Sequence, residues 1–128
     1  MTSHCFDTSA LIEIAHAGRN AALFAKSLAK AESVIISSIS IYELARYTTH
    51  VAGEAATAEI LAFLHQFQVI PVTPEIAEQA ASLGSKHKLA MADAIIYATT
   101  LAHKATLWTQ DDDFKGLPQV KYFPKKKT

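Results

Sequence analysis

Val34-Ile35-Ile36-Ser37-Ser38-Ile39-Ser40-Ile41-Tyr42-Glu43 is the stretch that decides the fold. Its first residues are β-branched and apolar without alternation, the mark of a strand covered on both faces, as in a parallel sheet. Directly behind them, Ser40-Ile41-Tyr42-Glu43 fits a capping box that opens a helix. Similar apolar runs occur at Ser3 to Phe6, Val69 to Thr73, Thr106 to Thr109 and Val120 to Phe123. Most are separated by alanine-rich windows such as Ala52 to Phe67, Pro74 to Leu83 and Ala92 to Lys104. Alanine loses no side-chain entropy in a helix, so these windows read as helices. The expectation is a three-layer α/β/α domain with a mostly parallel central sheet of about five strands. Pro71 lacks a backbone donor and places the third strand at an edge or cuts it short. Pro74 suits a first helical turn, and Gly84 can end the helix that Pro74 begins.

The chain has 128 residues, half of them hydrophobic, with 12 Lys plus Arg against 12 Asp plus Glu and a single Cys. That length suits one domain with a packed core, read as residues 1–124 followed by a short basic tail at 125–128. One Cys forms no internal disulfide, and Cys5, in an apolar strand, reads as a small core residue. No signal-like opening is present and no apolar run approaches the ~20 residues that a bilayer span needs, so the expectation is a cytoplasmic protein without membrane contact.

All five aspartates, Asp7, Asp93, Asp111, Asp112 and Asp113, fall at junctions between elements. In an open parallel sheet, sites form outside the C-terminal ends of the strands. Asp7 ends the first strand, Asp111 follows the strand at Thr106 to Thr109 by two residues with Asp113 close behind, and Glu43 lies in the first turn after the strand at Val34. Asp93 begins a helix whose far end feeds the strand at Thr106, which puts Asp93 on the same edge. This requires Gly84 to Met91 to climb back along the sheet, and eight extended residues span at most ~26–29 Å. Four carboxylates, spread over more than half of the chain, thus converge on one edge.

Singly, each has a simpler account. Asp7 can cap a helix, Glu43 can complete a capping box with Ser40, Asp93 can answer a helix dipole, and Asp111-Asp112-Asp113 can be a solvated turn. Together they repel one another unless a cation compensates. An all-oxygen set selects a hard ion, Mg²⁺ or Mn²⁺. Zinc fits poorly, since the six His show no His-x-x-x-His pair and Cys5 is no useful partner.

Four blocks then resemble a known family in order and spacing: Phe6-Asp7-Thr8-Ser9-Ala10-Leu11-Ile12, Ser37-Ser38-Ile39-Ser40-Ile41-Tyr42-Glu43-Leu44, Ala92-Asp93-Ala94-Ile95-Ile96-Tyr97-Ala98, and Leu107-Trp108-Thr109-Gln110-Asp111-Asp112-Asp113-Phe114. Over nearly its whole length the chain resembles PIN-domain proteins of the VapC toxin type. The resemblance implies a Mg²⁺- or Mn²⁺-dependent endoribonuclease with a site made from Asp7, Glu43, Asp93 and the Asp111/Asp113 turn. Thr8 or Ser9, and Thr109, would supply supporting hydroxyls. Asp111 is the favoured ligand of the turn, Asp113 the second. The resemblance also implies a homodimer, an antitoxin partner and a toxin-antitoxin hetero-oligomer.

RNA must be held by cations, for which Arg46, Lys86, Lys88, Lys104 and Lys115 are the candidates, with Arg46 one helical turn beyond Glu43. The zero net charge excludes only binding by overall charge, because a bound cation reverses the potential at an acidic site. The stripe Ile60, Leu61, Phe63, Leu64 and Phe67 reads first as core and second as a partner surface. Three rivals stand beside the toxin reading. A PIN-type RNA-processing nuclease would lack the antitoxin. A phosphoacceptor signalling domain expects paired acids at the first strand, where only Asp7 stands. A non-catalytic binding module has no need of converging carboxylates.

Overall fold

Residues 3–126 are described in a computed structural model. Strands β1 (Ser3–Phe6), β2 (Ser33–Ser37), β3 (Gln68–Ile70), β4 (Thr106–Thr109) and β5 (Val120–Tyr122) form one sheet in the order β3-β2-β1-β4-β5, and every pairing is parallel. Helices α1 (Thr8–Ala15), α2 (Ala21–Lys30), α3 (Ser38–Leu64), α4 (Pro74–His87) and α5 (Met91–Ala102) cover it. The expected α/β/α architecture is therefore present. No helix among the described residues is long and apolar enough to cross a membrane.

The unbroken apolar runs have a direct cause. Successive side chains of a strand point to opposite faces, and here both faces are core. Cys5, Ile35 and Leu107 face a cluster completed by Ile76, Ala80, Ile96, Tyr97 and Phe114 from α4, α5 and the turn after β4. Their neighbours Phe6, Ile36 and Trp108 face the other layer, against Leu11, Phe24, Leu44 and Leu64 of α1, α2 and α3. Cys5 is fully buried, and burial pushes its thiol up to about 12, which leaves it an inert core group. The stripe on the second half of α3 belongs to the same interior: Leu64 is buried, and Ile60, Phe63 and Phe67 pack on this second cluster.

Three boundaries differ from the sequence reading. β3 ends at Ile70, just before Pro71, and lies at the sheet edge, where both halves of the proline argument hold. α3 starts at Ser38 and is broken at Gly53, whose φ of 89° and ψ of 177° are non-helical, so the expected helix at Ala52 is the second limb of a longer, kinked element. α4 does not end at Gly84. It continues to His87 and is capped by Lys88 in the left-handed conformation. Gly84 serves packing instead, since a Cβ there would stand 3.4 Å from both the Ala94 Cβ and the Leu89 carbonyl oxygen. The extended climb from Gly84 to Met91 is accordingly absent: only Lys88 to Ala90 separate α4 from α5, and α4 itself brings the chain to the start of α5.

Candidate functional site

Asp7 closes β1 and caps α1. Its Oδ1 accepts from the Ala10 N–H at 2.9 Å and from the Ser9 hydroxyl at 2.7 Å, and its Oδ2 accepts from the Thr109 hydroxyl. Parallel pairing of Phe6 with Trp108 sets β1 and β4 side by side, which brings Thr109 within reach across 102 residues of sequence. Thr109 Oγ1 also accepts from the Asp111 N–H at 2.9 Å, so one hydroxyl fixes both the carboxylate and the turn behind it. Asp7 is 2% exposed. Burial pushes its pKa up to about 6, with the Asp111 charge adding to the rise and the three donors holding it back. A carboxylate has about four lone-pair sites, and three are taken here, which leaves room for one more partner. The capping role and a ligand role are thus compatible in the same side chain.

Glu43 is not the acidic half of a capping box. Because α3 begins at Ser38, its cap is Ser37, whose side chain accepts from the Ile39 N–H at 3.2 Å, while Ser40 is inside the helix. Glu43 Oε1 instead accepts from the Thr8 hydroxyl at 2.7 Å, and the same hydroxyl lies 3.0 Å from Ser40 Oγ. The supporting hydroxyls therefore divide their work: Thr8 holds Glu43, whereas Ser9 and Thr109 hold Asp7.

Asp93 lies in the first turn of α5, and Asp111 caps the short 3-10 turn Asp112–Phe114 by accepting from the Asp113 N–H at 3.0 Å. Phe114 is fully buried and anchors that turn in the core. Carboxylate oxygens of Asp93, Asp111 and Asp113 all lie within 4.8 Å of one another. The turn thus contributes two acids where the sequence left a choice between them, while the exposed Asp112 is outside the group. Asp93 rises to about 7, first because burial disfavours its charge and then because of the charges of Asp111, Asp7, Glu43 and Asp113. Asp7 and Glu43 are not in the tightest group, but their charge is felt there. Five carboxyls thus make one electrostatic unit.

The PIN domain family model matches residues 4–119. The chain belongs to the PIN-domain family. Among solved structures, this PIN domain is similar to a chain of a toxin-antitoxin complex from Klebsiella pneumoniae, with 30% identity over 92% of this chain and 95% of that one and a TM-score of 0.79. The sarcin-ricin loop cleaving toxin VapC20 of Mycobacterium tuberculosis shares the fold at 20% identity, covering 90% of this chain and 95% of the other, with a TM-score of 0.79. A chain of the DNA-bound VapBC2 complex of Rickettsia felis does so at 20% identity and a TM-score of 0.75, covering 98% and 100%. No curated protein matches the sequence.

The cations of this PIN domain are less uniformly placed than the acids. Lys86 and Lys88 are exposed at the end of α4, five and three residues before α5, whose first turn carries Asp93. Lys115 directly follows the acidic turn, with its ammonium 6.0 Å from the centre of the Tyr122 ring. Arg46 is exposed on α3 and donates to the Tyr42 hydroxyl at 2.9 Å. Lys104 lies beyond the C-terminal end of α5, just before β4 begins, and so at the opposite edge of the sheet from Asp93. Sequence spacing did not separate it from the others, because topology alone decides which end of a helix faces the site. A further polar pair went unread: buried Asn20 donates from Nδ2 to Gln110 Oε1 at 3.0 Å and to the Pro124 carbonyl at 3.1 Å. Its members are 90 residues apart and leave no local pattern. Lys125, read as the start of the tail, lines a cavity together with Asp111 and Asp112; Lys127 and Thr128 lie outside the described residues.

Proposed function

We propose that this PIN domain is a Mg²⁺- or Mn²⁺-dependent endoribonuclease and the toxin component of a type II toxin-antitoxin pair. The observation that carries the reading is the convergence of Asp93, Asp111 and Asp113, from two separate elements, within 4.8 Å. Ligand oxygens around an octahedral ion with bonds of ~2.1 Å stand roughly 3–4 Å apart, so the spacing and the all-oxygen chemistry fit a hard divalent ion after small side-chain adjustments. Likeness to the Klebsiella pneumoniae toxin-antitoxin chain over nearly the full length supports the antitoxin partner.

In this reading Asp7, Asp93, Asp111 and Asp113 hold the ion and Glu43 orients water at its border. When bound, the ion supplies a water of lowered pKa and offsets charge on the phosphoryl oxygens. The chain's own groups prepare the place for it. Thr109, Ser9 and the Ala10 N–H fix the Asp7 carboxylate, and Thr8 fixes Glu43, so neither must be ordered during turnover. The Asp93 carboxyl, raised to about 7, holds its proton further toward neutrality than Asp7, raised to about 6, and uptake of a cation would favour the ionised form of both. The deciding experiment is cleavage of RNA with Mg²⁺ or Mn²⁺, with and without chelator, beside the Asp93→Asn protein. Cleavage that chelator leaves intact, or that Asp93→Asn performs at the wild-type rate, overturns the reading. Toxicity on expression that a neighbouring small gene product relieves supports the toxin assignment, and its absence leaves the RNA-processing reading.

A further inference from the structure

Five of the 12 Lys and Arg, namely Lys115, Lys121, Lys125, Lys126 and Lys127, follow Asp113, and no Asp or Glu does. The neutral total therefore joins an acidic body to a basic C-terminal end. Topology brings this end to the site. β5 runs parallel to β4, so the chain leaves β5 at the same sheet edge at which β4 delivers the acidic turn. Its exit is fixed on both sides: the Phe123 N–H donates to the Thr109 carbonyl at 2.9 Å, and the Pro124 carbonyl accepts from Nδ2 of the buried Asn20 at 3.1 Å. The same Nδ2 reaches Gln110 Oε1 at 3.0 Å, which ties the exit to the residue before Asp111. Lys125 and Lys126 thus start within two residues, at most ~7 Å of chain, of a carbonyl held beside the acids. Both are exposed, and Lys125 shares a cavity with Asp111, Asp112 and Tyr122. The exposed Lys115 approaches the same ring from the turn, its ammonium 6.0 Å from the Tyr122 centre. Lys121 belongs elsewhere. Adjacent strand residues face opposite sides of a sheet, and the Lys121 ammonium lies 4.8 Å from the Trp108 ring centre, on the face away from Tyr122.

On the nuclease reading above, we infer that Lys115, Lys125 and Lys126 form the track that holds the RNA backbone beyond the cleaved phosphate. A bound ion offsets the acids at one phosphate only. Phosphates further along the strand face Asp111 and Asp112, and cations must stand beside those acids for the backbone to pass. The three lysines are the ones that the fold sets there, from the turn on one side and from the anchored exit on the other. The anchor matters energetically. Lysines on a fixed exit lose less freedom on binding than lysines on a free tail, so more of each phosphate contact is kept as affinity. Each contact also releases a counterion, which makes the track visible as salt dependence.

The test compares steady-state cleavage of a single-stranded RNA at fixed Mg²⁺ by the wild type and by the triple variant Lys115→Ala, Lys125→Ala, Lys126→Ala, whose positions are all exposed and outside the strands and α-helices. KM should rise while kcat holds, the signature of lost uniform binding. The slope of log kcat/KM against log salt should become shallower by roughly two, at ~0.7 per phosphate contact of a single strand. Raising salt from about 50 to 200 mM then costs the wild type roughly fifteen-fold more than the variant. Arg at the same three positions should keep the wild-type slope, and Lys121→Ala should leave KM and slope as they are. A triple Ala variant with unchanged KM and slope overturns the track, assigns the lysines to a protein partner and leaves the nuclease reading standing. An effect of Lys121→Ala as large as that of the triple variant also overturns it, since overall charge then accounts for binding. If the wild type cuts no RNA, the nuclease reading fails and the track falls with it.

Discussion

Asp7 and Asp93 stand in opposite kinds of surroundings. Asp7 is almost completely buried yet rises only to about 6, because three donors compensate its charge. Asp93 is less buried and rises further, to about 7, because no donor among the described residues reaches it and four carboxylates face it. The first is compensated by the protein's own donors; the second is relieved by keeping its proton or, on the proposed reading, by a bound cation. The contrast shows how a fold can tolerate a dense group of acids: it anchors one member within its own hydrogen bonds and leaves another with a raised pKa, where a proton or a cation relieves the repulsion.

The sharpest break of this comparison is the loss of either acid. Asp7→Asn and Asp93→Asn should each lower RNA cleavage by about a hundred-fold or more, measured as single-turnover rates at saturating Mg²⁺. Thr109→Val removes a donor rather than a ligand. It is expected to cost ~10–100-fold in cleavage and about 1–3 kcal/mol in denaturant unfolding, since it strands both the Asp7 oxygen and the Asp111 N–H. The expected outcome for Thr8→Val is smaller, because Glu43 keeps contact with solvent.

Stability should respond to pH in the direction that the raised pKa values dictate. Between the usual carboxylate value of 3.8 and about 7, the folded metal-free protein binds more protons than the unfolded chain. Its stability is therefore greatest at the acid end of that window and falls as pH rises through 6 and 7. Urea unfolding at pH 5 and pH 8 in the presence of chelator checks the sign. Asp93→Asn should flatten the slope and raise metal-free stability at pH 8, while Mg²⁺ should stabilise the wild type more than the variant. A wild type that is more stable at pH 8 than at pH 5 contradicts the contrast. The smallest effect separates the cations: Lys86→Ala or Lys88→Ala should reduce the salt dependence of RNA binding by about one charge, and Lys104→Ala should leave it unchanged.

Much of the layout was legible because the physics behind it is local. Adjacent residues such as Ile35 and Ile36 both face core, so the strands read as continuous apolar runs, and Asp7, Asp93 and Asp111 stand at element ends that such runs mark. What escaped depends on distance or on context. Gly84 carries the same signal whether it ends a helix or admits a neighbouring one, and only the position of Ala94 settles which. Ser40 and Glu43 have capping-box spacing, but the helix starts two residues earlier at Ser38, which turns both side chains toward Thr8. Asn20 and Gln110 are ordinary polar residues until the sheet buries them together.

The central position of β1 bears on how the protein comes into being. Its first strand pairs on one side with β2, about thirty residues on, and on the other with β4, about a hundred residues on. Loop closure over such separations makes the second pairing a late event in folding. On the ribosome, a chain that has not yet released Asp113 has neither the Thr109 hydroxyl for Asp7 nor the turn opposite Asp93. A chain that stops short of β4 therefore lacks both the Thr109 anchor of Asp7 and the two acids of the turn that meet Asp93, so the acidic group is assembled only after the later strand has emerged.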